Sequence, residues 1–236
     1  TVVFDEGTDI HFARNLINTQ LAMVKGQLPL GIEPKMGPIS TGLGIIMYFR
    51  LVDETGEYDL TQLREIADWM IKYPLQSVEG VTEVLALGGY EKQYQVQLNP
   101  DLLLSYDLQI SDVIEALESA NQTTGAQFIE VGAEQFTVRG VGLARSISDL
   151  AETPVKTIDG RTVRVSDLGS VVIGGAVRQG LATANGKGET VAGLVLKLYG
   201  TNTSDVIART HARFDEINAS LPEGVRAVAY YDQGTL

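Results

Sequence analysis

Side chains able to do chemistry are few in this 236-residue chain, and they are scattered. There is no cysteine, which removes disulfides, thiolate metal ligands and thiol nucleophiles. The two histidines, His11 and His211, stand at opposite ends of the chain and cannot build a His-rich zinc site. Met23, Met36, Met47 and Met70 could offer thioether sulfur to a soft ion, but an isolated methionine more often fills a gap in a core. Asp5, Glu6 and Asp9 cluster ahead of a helix. They could form an acidic mouth for cations, but the preferred reading is that they complement the positive end of the helix dipole. The chain has no Gly-x-Ser-x-Gly, no His-Glu-x-x-His and no Walker loop. Gly42-Leu43-Gly44 opens like a dinucleotide loop, but position 47 is Met and a strand, not a helix, follows. No catalytic, cofactor-binding or metal-ligating residue is therefore assigned.

The remaining singletons have structural readings. His11 lies one position off the apolar stripe of its helix, so a solvated role is expected; His211 falls on a stripe and is expected to be an interior, hydrogen-bonded His. Trp69, the one tryptophan, is expected at a half-buried helix position. Asn121, Asn202 and Asn218 each open a glycosylation-type triplet of a kind that is common by chance.

Charge and composition narrow the classes. Thirty acidic residues against 18 basic give a net charge of −12. Nucleic-acid binding needs clustered Lys and Arg, so this charge argues against it, and against docking on anionic lipid. No apolar run approaches the ~20 residues that cross a bilayer. The first residues, Thr1–Phe4, read as a strand already under way, and the last follow a turn, so a longer parent protein is expected.

Four stretches repeat their apolar residues at helical spacing. The first opens at Thr8 or Asp9 and carries Ile10, Ala13, Ile17, Leu21 and Val24. The second carries Leu63, Ile66, Ala67, Met70 and Ile71, with Pro74 expected to end it. The third, capped by Ser111, carries Ile110, Val113, Ile114 and Leu117; the fourth spans Thr203 to Ser220. A further short helix is expected near Ser148–Ala151. Strands are expected at 43–52, 81–87, 92–98, 126–131, 135–138, 162–165, 170–173, 190–198 and 225–231. Asp159-Gly160 marks a hairpin between two short runs.

Three helices are followed by a glycine and then a β-branched residue: Gly31-Ile32, Gly80-Val81 and Gly224-Val225. Strands before the second and fourth helices make two β-α-β units, expected to pack as one split β-α-β, ferredoxin-like sandwich. The fold class is thus α+β. That sandwich is assigned to residues 38–122 and 187–236, with 123–186 an inserted α+β subdomain. Residues 1–37 read as part of a second such sandwich. Position 43–52 must share a sheet with 190–198 if this is right.

Beyond this, resemblance carries the reading. Gly7-Thr8-Asp9, Met36-Gly37-Pro38-Ile39-Ser40-Thr41-Gly42, Gly88-Gly89-Tyr90-Glu91-Lys92-Gln93-Tyr94 and Asn99-Pro100-Asp101-Leu102-Leu103 occur in that order. Asp167-Leu168-Gly169, Ala184-Asn185-Gly186, Leu221-Pro222-Glu223-Gly224 and Tyr231-Asp232 follow. Together they resemble the heavy-metal efflux pumps of the resistance–nodulation–division superfamily, over nearly the whole chain. The resemblance implies a proton-driven inner-membrane homotrimer working with a periplasmic adaptor and an outer-membrane channel. This chain would be part of its first periplasmic loop: the end of one pore subdomain, a second pore subdomain, and an inserted docking subdomain. The helix from Asp9 to Lys25 would line the central pore of the trimer.

The resemblance also implies that the main metal ligands and proton-relay acids lie outside this chain. The copper/silver branch has Met at the position of Val177; its absence tilts the expected cargo toward Zn, Co, Ni or Cd over Cu or Ag. A multidrug pump of the same superfamily is the first alternative, disfavoured by an aromatic content of 7%. A free-standing periplasmic binding or adaptor protein is the second. An enzyme is a third, disfavoured because no nucleophile–base pair is visible.

Overall fold

The computed structural model describes residues 2–29, 32–40, 44–122, 128–131, 134–137, 142–178 and 180–234. In chain order the elements begin with helix α1 (Ile10–Lys25) and strand β1 (Ile45–Asp53). A long helical run follows: α2 (Leu60–Glu65), a π-helical stretch (Ile66–Lys72) and α3 (Tyr73–Gln76). Then come β2 (Val81–Leu87), β3 (Lys92–Leu98), α4 (Pro100–Ser105), α5 (Ile110–Ala120), β4 (Phe128–Val131) and β5 (Glu134–Thr137). Next are α6 (Ile147–Ala151), β6 (Pro154–Ile158), β7 (Arg161–Arg164), α7 (Val165–Leu168) and β8 (Gly169–Gly175). The chain closes with β9 (Ala182–Thr183), β10 (Glu189–Thr190), β11 (Ala192–Lys197), α8 (Thr203–Ser220) and β12 (Val225–Asp232).

The largest sheet has four antiparallel strands in the order β12-β1-β11-β2. The expected neighbours do share a sheet: Tyr48 stands opposite Leu194, and Phe49 opposite Gly193. Each helix-linked strand pair brackets a strand of the other: β11 lies between β1 and β2, and β1 lies between β11 and β12. Neither half can complete its ladder alone, so residues more than a hundred positions apart must meet before the backbone groups of either are satisfied.

The two helical runs touch each other over one face of this sheet. Phe49, Leu51, Val84, Val195 and Ala227 from the strands pack there with Ile66, Ile71, Leu75, Val206, Phe214 and Ile217 from the helices. Phe49 meets Phe214 edge-on at 5.7 Å. Position 193 must be glycine because a Cβ would collide with the Phe49 ring. Gly80 and Gly224 turn the chain from helix to strand at φ +92° and +81°, just before Val81 and Val225, where the repeated pattern put them; Gly31 lies outside the described residues.

A second buried cluster contains Leu103, Leu108, Val113, Val163, Val165 and Leu168. It is built from the β3–β8 ribbon, α4, α5, the β6–β7 hairpin and α7. The cluster draws Leu103, Leu108 and Val113 from ahead of residue 123, where the sequence reading placed the start of the inserted segment. The hairpin turns at Asp159 (φ +49°) and Gly160 (φ +78°), as Asp-Gly demands.

Several expectations need correction. Pro74 does not end its helix, which runs on to Gln76. A proline cannot donate to a carbonyl four residues back, and the wider π turn just before it absorbs that loss. The third main helix starts after Gln109, not after Ser111, and Asp112 accepts the Gln109 N–H. α4 was not foreseen; it is a single short run opened by Asn99 and Pro100, too brief to show a period. Val165, expected to end a strand, begins α7. No helix among the described residues is long and apolar enough to cross a membrane.

Candidate functional site

The potential ligands are dispersed. Among the described residues no group of three or more His, Asp or Glu could hold a metal ion. Asp5, Glu6 and Asp9 are exposed at the start of α1, and Asp9 spends one oxygen accepting the Phe12 N–H at 2.8 Å. Of the two residues at which the helix was expected to open, Thr8 or Asp9, it is Asp9 that caps it. Met47 is fully buried in the sheet core and Met70 packs against that core; Met23 is exposed and Met36 half-buried. His11 is exposed, as expected.

His211 is not interior. Thr210 takes the buried place on α8, while His211 stands at the edge and pairs with Asp232 of β12. Trp69 is not half-buried either: 67% of it is exposed, tilted against Tyr73 with ring centroids 5.4 Å apart. The glycosylation-type asparagines are all occupied structurally. Asn121 accepts from the Ala144 N–H, Asn202 caps α8, and Asn218 exchanges two hydrogen bonds with the Ala227 backbone.

Where the chain passes between its two cores, side chains do converge. It leaves the large sheet through Gly88-Gly89-Tyr90-Glu91 and returns through Ala176-Val177-Arg178. The Ala176 N–H donates to the Glu91 carbonyl at 2.8 Å, tying the two passages together. The Arg178 guanidinium lies 4.1 Å over the Tyr90 ring and pairs with Glu189; that hydrogen bond holds its proton still more firmly. Arg64 reaches the same place from α2, donating to Asp68 at 2.7 Å and to the Gly88 carbonyl at 2.8 Å.

A cavity of about 520 Å³ opens here, with Leu87, Val177 and Leu181 among its walls. Val177 is 96% exposed. Arg64 pairs with Asp68 and Arg178 with Glu189, and among the described residues Glu91 is the one carboxylate lining this cavity. Among the described residues this grouping provides no coordination shell. Sequence reasoning missed the Tyr90–Arg178–Glu189 grouping, since nothing in the sequence links positions so far apart. Gly88-Gly89 was the one visible sign of a special backbone here.

α1 presents a different surface. None of its residues is buried, and Phe12, Leu16 and Met23 are exposed. An amphipathic helix with its apolar positions in water has the pattern of one built to pack against something more.

Comparison with known proteins now bears on these surfaces. A model of the AcrB/AcrD/AcrF family matches residues 1–236. The chain belongs to that family. Among its relatives, protein HelA of Legionella pneumophila is 43% identical over 241 residues, covering all of this chain and 23% of HelA. The cobalt-zinc-cadmium resistance protein CzcA of Cupriavidus metallidurans is 42% identical over 243 residues, again covering the whole chain and 23% of CzcA. The cation efflux system protein CusA of Escherichia coli K12 is 37% identical, covering the whole chain and 22% of CusA. A crystal structure of a heavy metal efflux pump superposes with a TM-score of 0.88 at 30% identity, over 99% of this chain and 23% of that one. The chain thus spans about a quarter of the length of these AcrB/AcrD/AcrF-family proteins. The resemblance to heavy-metal efflux pumps read from the sequence is upheld along the whole chain.

Proposed function

We propose that this chain is part of a proton-driven efflux transporter for heavy-metal cations, on the periplasmic side of an inner membrane. The observation that carries the reading is the alignment of every residue with a cobalt-zinc-cadmium resistance protein at 42% identity. In this reading the interlocked four-stranded sheet and its two helical runs form a ferredoxin-like pore subdomain. Residues 1–37 contribute to a neighbouring one, and α1 faces the central pore of a homotrimer. The inserted docking subdomain meets the outer-membrane channel, with a periplasmic adaptor alongside. We propose residues 92–175 for that insertion, where the sequence reading had 123–186, because Leu103, Leu108 and Val113 share one buried core with Val163, Val165 and Leu168.

The chain's work is to shape a conduit. Movement of one subdomain against the next opens and closes the cleft beside Val177, and no residue here grips the cargo. The exposed Val177, where a thioether would suit Cu(I) or Ag(I), favours Zn, Co, Ni or Cd as cargo. Expression of the complete gene, with its adaptor and channel, in an efflux-deficient Gram-negative host tests the reading. Tolerance to zinc, cobalt or cadmium should rise; unchanged tolerance to every metal tried would overturn it. Isothermal titration of the 236-residue chain with Zn²⁺ and Cu⁺ should show no tight stoichiometric uptake.

A further inference from the structure

Trp69 and Tyr73 lie on the π-helical stretch and the turn after it, with 67% and 53% of their surfaces exposed. π-Helical turns are rare, and those that occur are often at functional sites. The two rings meet at 38°, forming a bent ledge rather than an interlocked core pair. Across from them Tyr94 of β3 is 51% exposed, so the ledge is completed by an aromatic residue that packs with the second core's ribbon. The space between is a cavity of about 400 Å³, within the usual span for small-ligand pockets.

The charges around it decide the ligand class. Three cations and three anions line the cavity in a chain whose net charge is −12, so the site is locally neutral. Four of the six are held in place as pairs: Arg64 with Asp68 at 2.7 Å, and Lys92 with Glu65 at 3.1 Å. A guanidinium has five donors and a carboxylate about four acceptor sites, so these pairs keep spare hydrogen-bonding capacity aimed around the rings. Lys72 and Glu91 make no ion pair among the described residues and add one free donor group and one free acceptor group. The carboxylates oppose an anion, the three cations oppose a cation, and no cluster here can ligate a metal.

The balanced charges suit a molecule of no net charge, and the exposed rings suit one with an apolar face to stack and hydroxyls to bond. We infer that the Trp69–Tyr73–Tyr94 cavity is a binding site for a neutral saccharide. The C–H face of a sugar ring stacks on Trp69 and Tyr73. Its hydroxyls accept from Arg64 or Lys72 and donate to Asp68 or Glu91. The inference does not depend on the transport reading.

Trp69 is the only tryptophan, so its emission reports on the site alone. The 236-residue chain is titrated separately with chitohexaose and maltohexaose. A saturable blue shift is expected with one or both; chitohexaose alone marks recognition of N-acetylated sugars, and both together mark general ring stacking. Tyr73→Ala keeps the reporter and should weaken binding about tenfold, the loss expected for one ring contact. Tyr199→Ala, exposed elsewhere, should leave it unchanged, and circular dichroism checks that both variants fold. No shift with either sugar, or a shift that survives Tyr73→Ala, overturns the assignment. So does a shift that follows protein concentration alone, which would mean that the ledge docks a second copy of the chain.

Discussion

The Asp53 carboxylate accepts hydrogen bonds from Tyr58 N–H, Gly56 N–H, and both the N–H and hydroxyl of Thr55. These donors, Tyr58 foremost, hold its carboxyl below the ordinary value of 3.8. The folded-state value is depressed, so the stability it contributes is complete above 3.8 and is lost as pH falls through the lowered value. Asp53→Asn should therefore unfold at lower urea than the parent at neutral pH, and the gap should close in acid. A gap of equal size at both pH values would mean that the charge is irrelevant. Asp149 is set up in the same way by the Arg145 and Ser146 N–H groups, the former dominant. At this scale the sequence told much about capping and little about exposure. Asp9 could be assigned from its place before a helix, whereas His211 and Trp69 could not. Their burial depends on which side of a helix faces the sheet, and a single step around the helix exchanges Thr210 for His211 at the interior position.

Elements follow local rules, and most were legible for that reason. α8 was expected at Thr203–Ser220 and is found there, because its apolar period and the capping Asn202 both lie in the sequence. The Asn202 side chain accepts from the Ser204 and Asp205 N–H groups at 2.9 and 3.3 Å. Asn202→Ala should cost about 1 kcal/mol, read as a lower denaturation midpoint with an unchanged slope. β2 and β3 also fall where strands were expected, at 81–87 and 92–98. The π-helical stretch was not legible. Pro74 announces a break, but whether a helix stops or widens is settled by the burial of Ile71 and Leu75 on either side, which holds the run against the sheet. The short helices α4 and α7 were missed because six or four residues cannot display a period of 3.6.

The whole molecule has two buried cores joined by two passages of chain, at Gly88–Glu91 and Ala176–Arg178. If they are separate cooperative units, damage to one should spare the other. Phe49→Ala, in the first, should cost roughly 3–5 kcal/mol, and Leu168→Ala, in the second, roughly 2–5 kcal/mol. Hydrogen exchange should then show Leu168→Ala speeding exchange in β3, β8 and α5 while β1 and β11 stay protected. Equal loss of protection in both would make the chain one unit. The sequence by itself determined the α+β class, the turns and the positions of most elements, since hydrophobic period and turn chemistry act between residues a few positions apart. It also carried the family, through motifs in a fixed order. Only the tertiary structure decided that β11 inserts between β1 and β2, that α4 and α5 share a core with the β6–β7 hairpin, that Arg178 lies on Tyr90, and that Trp69 faces water. Each of these depends on packing such as Phe49 against Gly193, or Val113 and Val163 in one buried cluster, where packing selects one partner among many that local rules would equally allow.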